Sequence, residues 1–387
     1  MKVYKFGGTS VKDADGVRNL KKVLQTIGYS DTVLVISAMG KMTNAFELLV
    51  SAHLMDDEDG DEENNRFEEI GEFHLNIIEN LFTDESHPVF EEVKDLLDDL
   101  NGFLFDNISS DYNYVYDQIV CYGELLSTKI CSAYLAEEGV KNKWLDIRKC
   151  IKTDDQFRHA NVNWKITCDL LNQKIKRKGL TITQGFIAGD NRGNSTTLGR
   201  EGSDYSAAII AYCLKAKEVT IFKDVSGVLN GDPGEFEDTV LLNQISYKEA
   251  VEMAFFGASV IHPKTLQPLQ KNEIPLRVKS FITPLENGTT VIRGVDIEPK
   301  TPCYILKKNQ ILLSISDKDF NFIMENDISE IFDLLHKYSL KVNLIQNSAI
   351  SFTVCIEDNF NNFDEVIQER IGKYKVLYNT IFYRRGN

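Results

Sequence analysis

The segment Lys5-Phe6-Gly7-Gly8-Thr9-Ser10 places a lysine, adjacent glycines and two hydroxyls where a short apolar strand gives way to helical spacing. Glycines let a phosphate approach the backbone closely, and the N–H groups that open a helix favour an anion. Lys5 can then set its charge against a transferring phosphoryl group, which is the main thing a phosphotransferase must stabilise. The same residues also suit a plain tight turn. No G-x-x-x-x-G-K-[ST] segment occurs, which disfavours the P-loop route to this chemistry.

A second group, Thr197-Leu198-Gly199-Arg200-Glu201-Gly202-Ser203-Asp204, runs into helical spacing. Ser203 or Asp204 can serve there as a helix N-cap. Arg200 has no such simple structural use, and its planar fork suits a carboxylate gripped in a bidentate pair. Glu124, read as lying at the opening of another helix, can take an ammonium group or simply favour that helix start. Arg200 and Glu124 together would clamp an α-amino acid, with Thr43 and Asn44 adding polar contacts. A third group, residues 223–233, contains Lys223, Asp224 and Asp232 in a glycine-bearing loop after an apolar run. Loops at the carboxyl ends of parallel strands are where nucleotides bind, although this one also reads as a glycine-rich turn.

These groups need elements to hold them. Residues 3–6 and 32–36 read as strands, and 11–27 as an amphipathic helix with Val17, Leu20, Val23, Leu24 and Ile27 on one face. That is the grammar of a parallel α/β sheet. Residues 45–145 are largely helical, with an acidic run at 56–63 that reads as a solvated loop or helix end. Strand and helix alternation then resumes, with strands at 181–187, 218–222 and 275–280 and a helix at 204–216. From 304 to 387 the order is β-α-β-β-α-β, a ferredoxin-like unit, and residues 296–304 read as the linker before it. The expected division is a domain at 1–295 and another at 304–387.

Composition narrows the function classes. A net charge of −15 disfavours binding to nucleic acid, which needs a basic face. No stretch is apolar for long enough to span a bilayer, and the first residues lack the apolar core of a secretory signal, so the expectation is a cytoplasmic protein with no membrane role. The seven cysteines include no C-x-x-C pair, and the six histidines no H-E-x-x-H. Reduced thiols and no structural or catalytic metal ligands of the protein's own are expected.

The segments KFGGTSV at 5–11, SAMGKMTN at 37–44, YGELLST at 122–128, ITQGFIAGD at 182–190, TTLGREGSD at 196–204, KDVSGVLNGDP at 223–233 and FGASVIHPKTLQP at 256–268 resemble, in order and spacing, those of aspartate kinases. The resemblance implies the amino-acid-kinase fold, an open, mainly parallel sheet between helices, followed by an ACT-type regulatory domain. It implies Lys5, Arg200 and Asp204 as catalytic residues, with Asp204 orienting Lys5. Thr43, Glu124, Phe186, Arg200 and Ser203 would surround L-aspartate. Lys5, Gly7, Gly8, Thr9, Lys223, Asp224 and Asp232 would lie along ATP, which is used with Mg2+. Glu325, Asn326, Asp327, Gln346 and Asn347 fall where an amino-acid effector would bind. The implied reaction phosphorylates the aspartate side chain, the first step toward lysine, threonine and methionine.

Some positions depart from the family's pattern. Ser259 replaces a lysine, Leu229 a tyrosine, Gly234 an arginine, Lys223 a threonine and Glu201 a glycine. Lys223 is expected to replace part of the charge lost at Ser259. Only one ACT-type unit fits in the chain where relatives commonly carry two, and its open sheet edge leads us to expect a homodimer. The alternatives are a catalytically weak sensor or partner subunit and, more remotely, a kinase of the same fold acting on glutamate, carbamate or a nucleotide.

Overall fold

The computed structural model describes residues 1–55, 60–258, 261–319, 321–358, 362–369 and 374–381. The chain divides into two compact units, Met1–Cys303 and Tyr304–Asn387. Part of the acidic run, residues 56–59, and Ser259 lie outside the described residues.

In the first unit, β1 (Lys2–Phe6) and β2 (Thr32–Ile36) pair in parallel and are joined through α1 (Ala14–Ile27). Asp13 caps α1, its carboxylate accepting the Gly16 N–H at 2.8 Å, and Val17, Leu20, Val23 and Leu24 are buried beneath it. The glycine turn therefore does not open α1. It leads into a short 3-10 turn, Gly8–Val11, and α1 begins afterwards on its own cap.

Helices α2 (Met42–His53), α3 (Asp61–Leu81), α4 (Pro88–Asp106) and α5 (Tyr112–Glu137) form the helical stretch. Of the acidic run, Asp61, Glu62 and Glu63 occupy the first turn of α3, where carboxylates suit the helix dipole. Strand β3 (Asn142–Leu145), α6 (Trp164–Lys174), β4 (Leu180–Gln184), β5 (Ile187–Gly189), β6 (Ser195–Thr197) and α7 (Gly202–Leu214) follow. The strand expected at 181–187 is broken, because Phe186 takes a left-handed φ of 66° and turns the chain between β4 and β5. Then come β7 (Val219–Lys223), β8 (Gln244–Ser246), α8 (Tyr247–Phe256), α9 (Pro263–Lys271), β9 (Leu276–Ser280) and β10 (Thr289–Ile292).

The main sheet has the order β3-β4-β2-β1-β7-β9-β10-β8. Its pairs are parallel except β9 with β10, so it is an α/β sheet of the expected kind. β2 and β4 are buried at every position, which is why they read as continuous apolar or β-branched runs rather than alternating ones. The stretch expected as a linker, 296–304, is tied to this unit through Cys303: Glu298 bridges Gln244, and the Asn230 amide donates to the Pro302 carbonyl at 3.0 Å.

The cysteines give a correction. Cys168 of α6 and Cys213 of α7 are joined as a disulfide, whereas Cys121, Cys131, Cys150, Cys303 and Cys355 are free thiols. The two lie 45 residues apart, and only the packing of α6 against α7 brings them together. Sequence spacing carried no sign of this.

The second unit runs β11 (Gln310–Asp317), α10 (Glu325–Lys337), β12 (Lys341–Asn347), β13 (Ser351–Glu357), α11 (Phe363–Glu369) and β14 (Tyr374–Ile381). Its sheet, ordered β12-β13-β11-β14, is antiparallel, as in a ferredoxin-like fold. Leu313, Leu335, Phe352 and Val354 are central to its own core. Among the described residues, no helix of the chain is long and apolar enough to cross a membrane.

Candidate active site

A cavity of about 520 Å³ opens at the carboxyl ends of β1, β2 and β7, and its lining includes Lys5, Thr43, Glu124, Phe186, Arg200, Ser203, Asp204 and Lys223. These residues come from seven separate elements or loops; all but Phe186 had been singled out by type and spacing, and Phe186 by the family resemblance alone.

Lys5 ends the polar side of β1, and its Nζ meets Asp204 Oδ1 at 2.7 Å, with both side chains nearly buried. Asp204 sits in the first turn of α7 but does not cap it. The residue before the helix is Glu201, in left-handed backbone with φ of 53° and no side-chain capping bond. Asp204 is thus spent on Lys5. Burying a charge pair costs desolvation that only close geometry repays, so such a pair is kept for position more than for stability.

Glu124 corrects another expectation. It lies midway along α5 rather than at a helix start, so the favourable dipole of an N-terminus does not account for it. Its Oε1 accepts the Ala38 N–H at 3.2 Å, while its Oε2 is buried with no hydrogen-bond partner. Burial pushes the carboxyl up to about 8, against hydrogen bonding and the nearby Lys5, which pull the other way. A buried carboxylate oxygen without a donor is costly unless a ligand supplies one.

Ser37, Tyr116, Arg158, His159, Thr197, Gly199, Glu201 and Gly202 also line the cavity. Sequence reading gave Tyr116, Arg158 and His159 no role. Tyr116 stands eight positions before Glu124 on α5, a spacing that could have placed both near one face; Arg158 and His159 belong to no motif. Three non-glycine lining residues hold left-handed backbone: Arg158 (φ 68°), Phe186 (φ 66°) and Glu201 (φ 53°). Strain of this kind gathers at functional sites, where surrounding structure holds it in place.

Other expected residues lie outside the cavity lining. Gly7 and Gly8 border the Lys5 turn, and Thr9 is exposed beside them. Asp224 is exposed in the loop after β7, and Asp232 caps its own turn by accepting the Gly234 N–H at 2.8 Å. In the second unit, Glu325, Asn326 and Asp327 open α10, and Gln346 and Asn347 end β12. Asp327 is tied into the fold, accepting the Met324 N–H at 3.0 Å and the Tyr374 hydroxyl at 2.7 Å.

Residues 1–280 match the profile of the amino acid kinase family. The lysine-sensitive aspartokinase 3 of Escherichia coli K12 is 32% identical over 364 residues, covering 92% of this chain and 78% of that protein. The chain belongs to the aspartokinases of the amino acid kinase family. Chloroplastic aspartokinase 1 of Arabidopsis thaliana is 29% identical over 379 residues, and the chain spans 65% of its length. Among solved structures, E. coli aspartokinase III with lysine and aspartate, in its T-state, superimposes with a TM-score of 0.82 at 29% identity, covering 98% of this chain and 85% of that one. The R-state of the same enzyme with aspartate and ADP gives 0.78 at the same identity and coverage.

Proposed function

We propose that this aspartokinase transfers the γ-phosphoryl group of ATP to the β-carboxylate of L-aspartate, giving 4-phospho-L-aspartate and ADP. The observation that carries the reading is one cavity holding both the Lys5–Asp204 pair and the unpartnered Glu124 oxygen. Glu124 accepts the ammonium of aspartate, Arg200 takes its α-carboxylate, and Thr43, Phe186 and Ser203 enclose the rest. Lys5, Gly7, Gly8, Thr9 and Lys223 hold the phosphates, and Asp224 and Asp232 flank the nucleotide.

The residues suit a phosphate at the turn. A Cβ built on Gly7 would find only Lys5 Nζ nearby, at 3.5 Å, so that face of the backbone is open toward the lysine. Among the described residues no group of three or more His, Cys, Asp or Glu is arranged to hold a metal ion. Mg2+ accompanying the nucleotide would add to charge neutralisation at its phosphates. The attacking β-carboxylate is ionised at neutral pH and needs no general base. As its oxygen bonds to the γ-phosphorus, the bond to the ADP oxygen breaks and negative charge passes to the β-phosphate. Lys5, steadied by Asp204, offsets charge on the transferring group, so catalysis rests on alignment and electrostatics.

The second unit is read as an ACT-type regulatory domain that pairs with a second copy of the chain through an open sheet edge. Its amino-acid effector would bind near Glu325, Asn326, Asp327, Gln346 and Asn347, and the E. coli relative solved with lysine supports an amino acid in that role. A monomeric mass at micromolar concentration would reject the pairing.

The reaction is tested by incubating purified protein with Mg-ATP, hydroxylamine and, separately, aspartate, glutamate, carbamate or UMP. Aspartyl hydroxamate should form in the aspartate sample alone. A blank there, or faster ATP use with another acceptor, would remove the reading.

A further inference from the structure

Asp117 is fully buried in α5, seven residues before Glu124, and both carboxylates face the same side of the helix about 10 Å apart along its axis. Asp117 accepts hydrogen bonds from donors on two other segments. Its Oδ2 accepts the backbone N–H of Arg158 at 2.9 Å and that of Thr197 at 2.8 Å, and its Oδ1 accepts the Thr197 hydroxyl at 2.7 Å. One carboxylate therefore fixes the loop carrying Arg158 against β6, and the Ala160 N–H to Thr197 carbonyl bond at 3.1 Å fastens the same joint. Burial raises this carboxyl to about 6 while these donors pull it down, as expected where three donors need an anion.

The side chain so placed is a guanidinium inside the cavity. Arg158 Cζ lies 4.5 Å from the centre of the Tyr116 ring and 5.3 Å from that of Tyr112. Tyr116 is itself held, its hydroxyl donating to Glu47 Oε1 at 2.8 Å. Among the described residues Arg158 makes no ion pair, although its half-buried fork is suited to a carboxylate. Arg200, the other guanidinium lining the cavity, is exposed.

We infer that Arg158 grips the α-carboxylate of the acceptor amino acid together with Arg200, and that Asp117 is the positioning residue that holds Arg158 there. This rests on the proposed aspartate kinase reaction. The reacting β-carboxylate must lie beside Lys5, near Glu124, so the α-carboxylate points away from the phosphoryl group and toward the Asp117 end of the cavity. A guanidinium already laid on two rings loses little freedom on binding, and its planar fork reads a carboxylate where a lysine would not.

The test compares aspartate with β-alanine, which keeps the reacting carboxylate and the amine but lacks the α-carboxylate. In Arg158→Met the KM for aspartate should rise ten- to a hundredfold while kcat changes less than threefold, and the inhibition constant of β-alanine should stay within twofold. Arg158→Lys should recover only part of the loss. Asp117→Asn should raise the aspartate KM in the same selective way, whereas a purely structural role would lower Tm and leave the preference for aspartate over β-alanine unchanged. An aspartate KM within twofold of wild type in Arg158→Met, or equal weakening of both ligands, overturns the inference with the kinase reading intact. A wild-type protein that does not phosphorylate aspartate overturns both.

Discussion

Lys5 Nζ and Asp204 Oδ1 stand 2.7 Å apart at the meeting of β1 and α7, with side-chain exposures of 11% and 3%. The charge that would meet the γ-phosphate is thereby aimed by a helix that also carries Ser203 and begins two residues after Arg200. Removing one partner of such a pair strands the other in a poorly solvated place. Asp204→Ala should cost roughly 3–5 kcal/mol in urea unfolding and lower kcat by more than an order of magnitude. Lys5→Met/Asp204→Ala should regain part of that stability and none of the activity. A stable, active Asp204→Ala protein would show that Lys5 is positioned by something else.

Glu124 sets a pH dependence. With its carboxyl raised to about 8 by burial, it is mostly protonated at neutral pH in the free protein, and taking an ammonium requires the ionised form. The KM for aspartate should therefore fall as pH rises, by up to about tenfold per unit below the raised value, and flatten above it. Asp117 is raised only to about 6, so measurements above about pH 7 isolate Glu124. Calorimetry in buffers of different ionisation enthalpy should detect proton release on aspartate binding. Glu124→Gln should bind weakly with no such slope, and a slope that survives in that variant would assign it elsewhere.

The adjacent glycines should separate into two behaviours. A Cβ on Gly8 would fall 2.5 Å from the Ala38 carbonyl oxygen and 2.8 Å from that of Gly40, both backbone atoms of the turn after β2. Gly8→Ala should therefore destabilise the protein by about 1–3 kcal/mol. Gly7→Ala meets only the Lys5 ammonium at 3.5 Å and should fold normally while raising the KM for ATP. Equal Tm losses in the two variants would mean that Gly7 serves packing rather than phosphate.

Lys223 lines the same cavity as Lys5 from the end of β7. If it replaces part of the positive charge lost at Ser259, Lys223→Ala should raise the KM for ATP about tenfold or more, as expected for a charge-assisted hydrogen bond of roughly 1.5–3 kcal/mol. The KM for aspartate should change little. An unchanged KM for ATP would end the compensation argument.

Much of this site was legible in the sequence because its parts are local. Lys5 with its glycines, and Arg200 with Ser203 and Asp204, each occupy a few consecutive residues whose backbone needs show in their types. The sheet was legible for the same reason, since β2 and β7 are short β-branched or apolar runs. What escaped notice depends on distant pairing. Helix α5 is buried around most of its circumference, so it lacks the one-sided periodicity that would have shown its true start and put Glu124 at its middle. The break at Phe186 is a backbone conformation that side-chain pattern does not encode. The Cys168–Cys213 link and the Asp117 anchor for Arg158 and Thr197 join residues tens of positions apart, and no local signal announces either.

The most direct measurement of the central claim is single-turnover formation of aspartyl phosphate by Lys5→Met, trapped with hydroxylamine and corrected for folded protein by circular dichroism. With the Lys5 charge gone and aspartate still bound by Glu124 and Arg200, the rate should fall by about 10²–10³, the usual loss when one preorganised charge-stabilising donor is removed, and the KM for aspartate should move less than threefold. A rate within threefold of wild type would contradict the account.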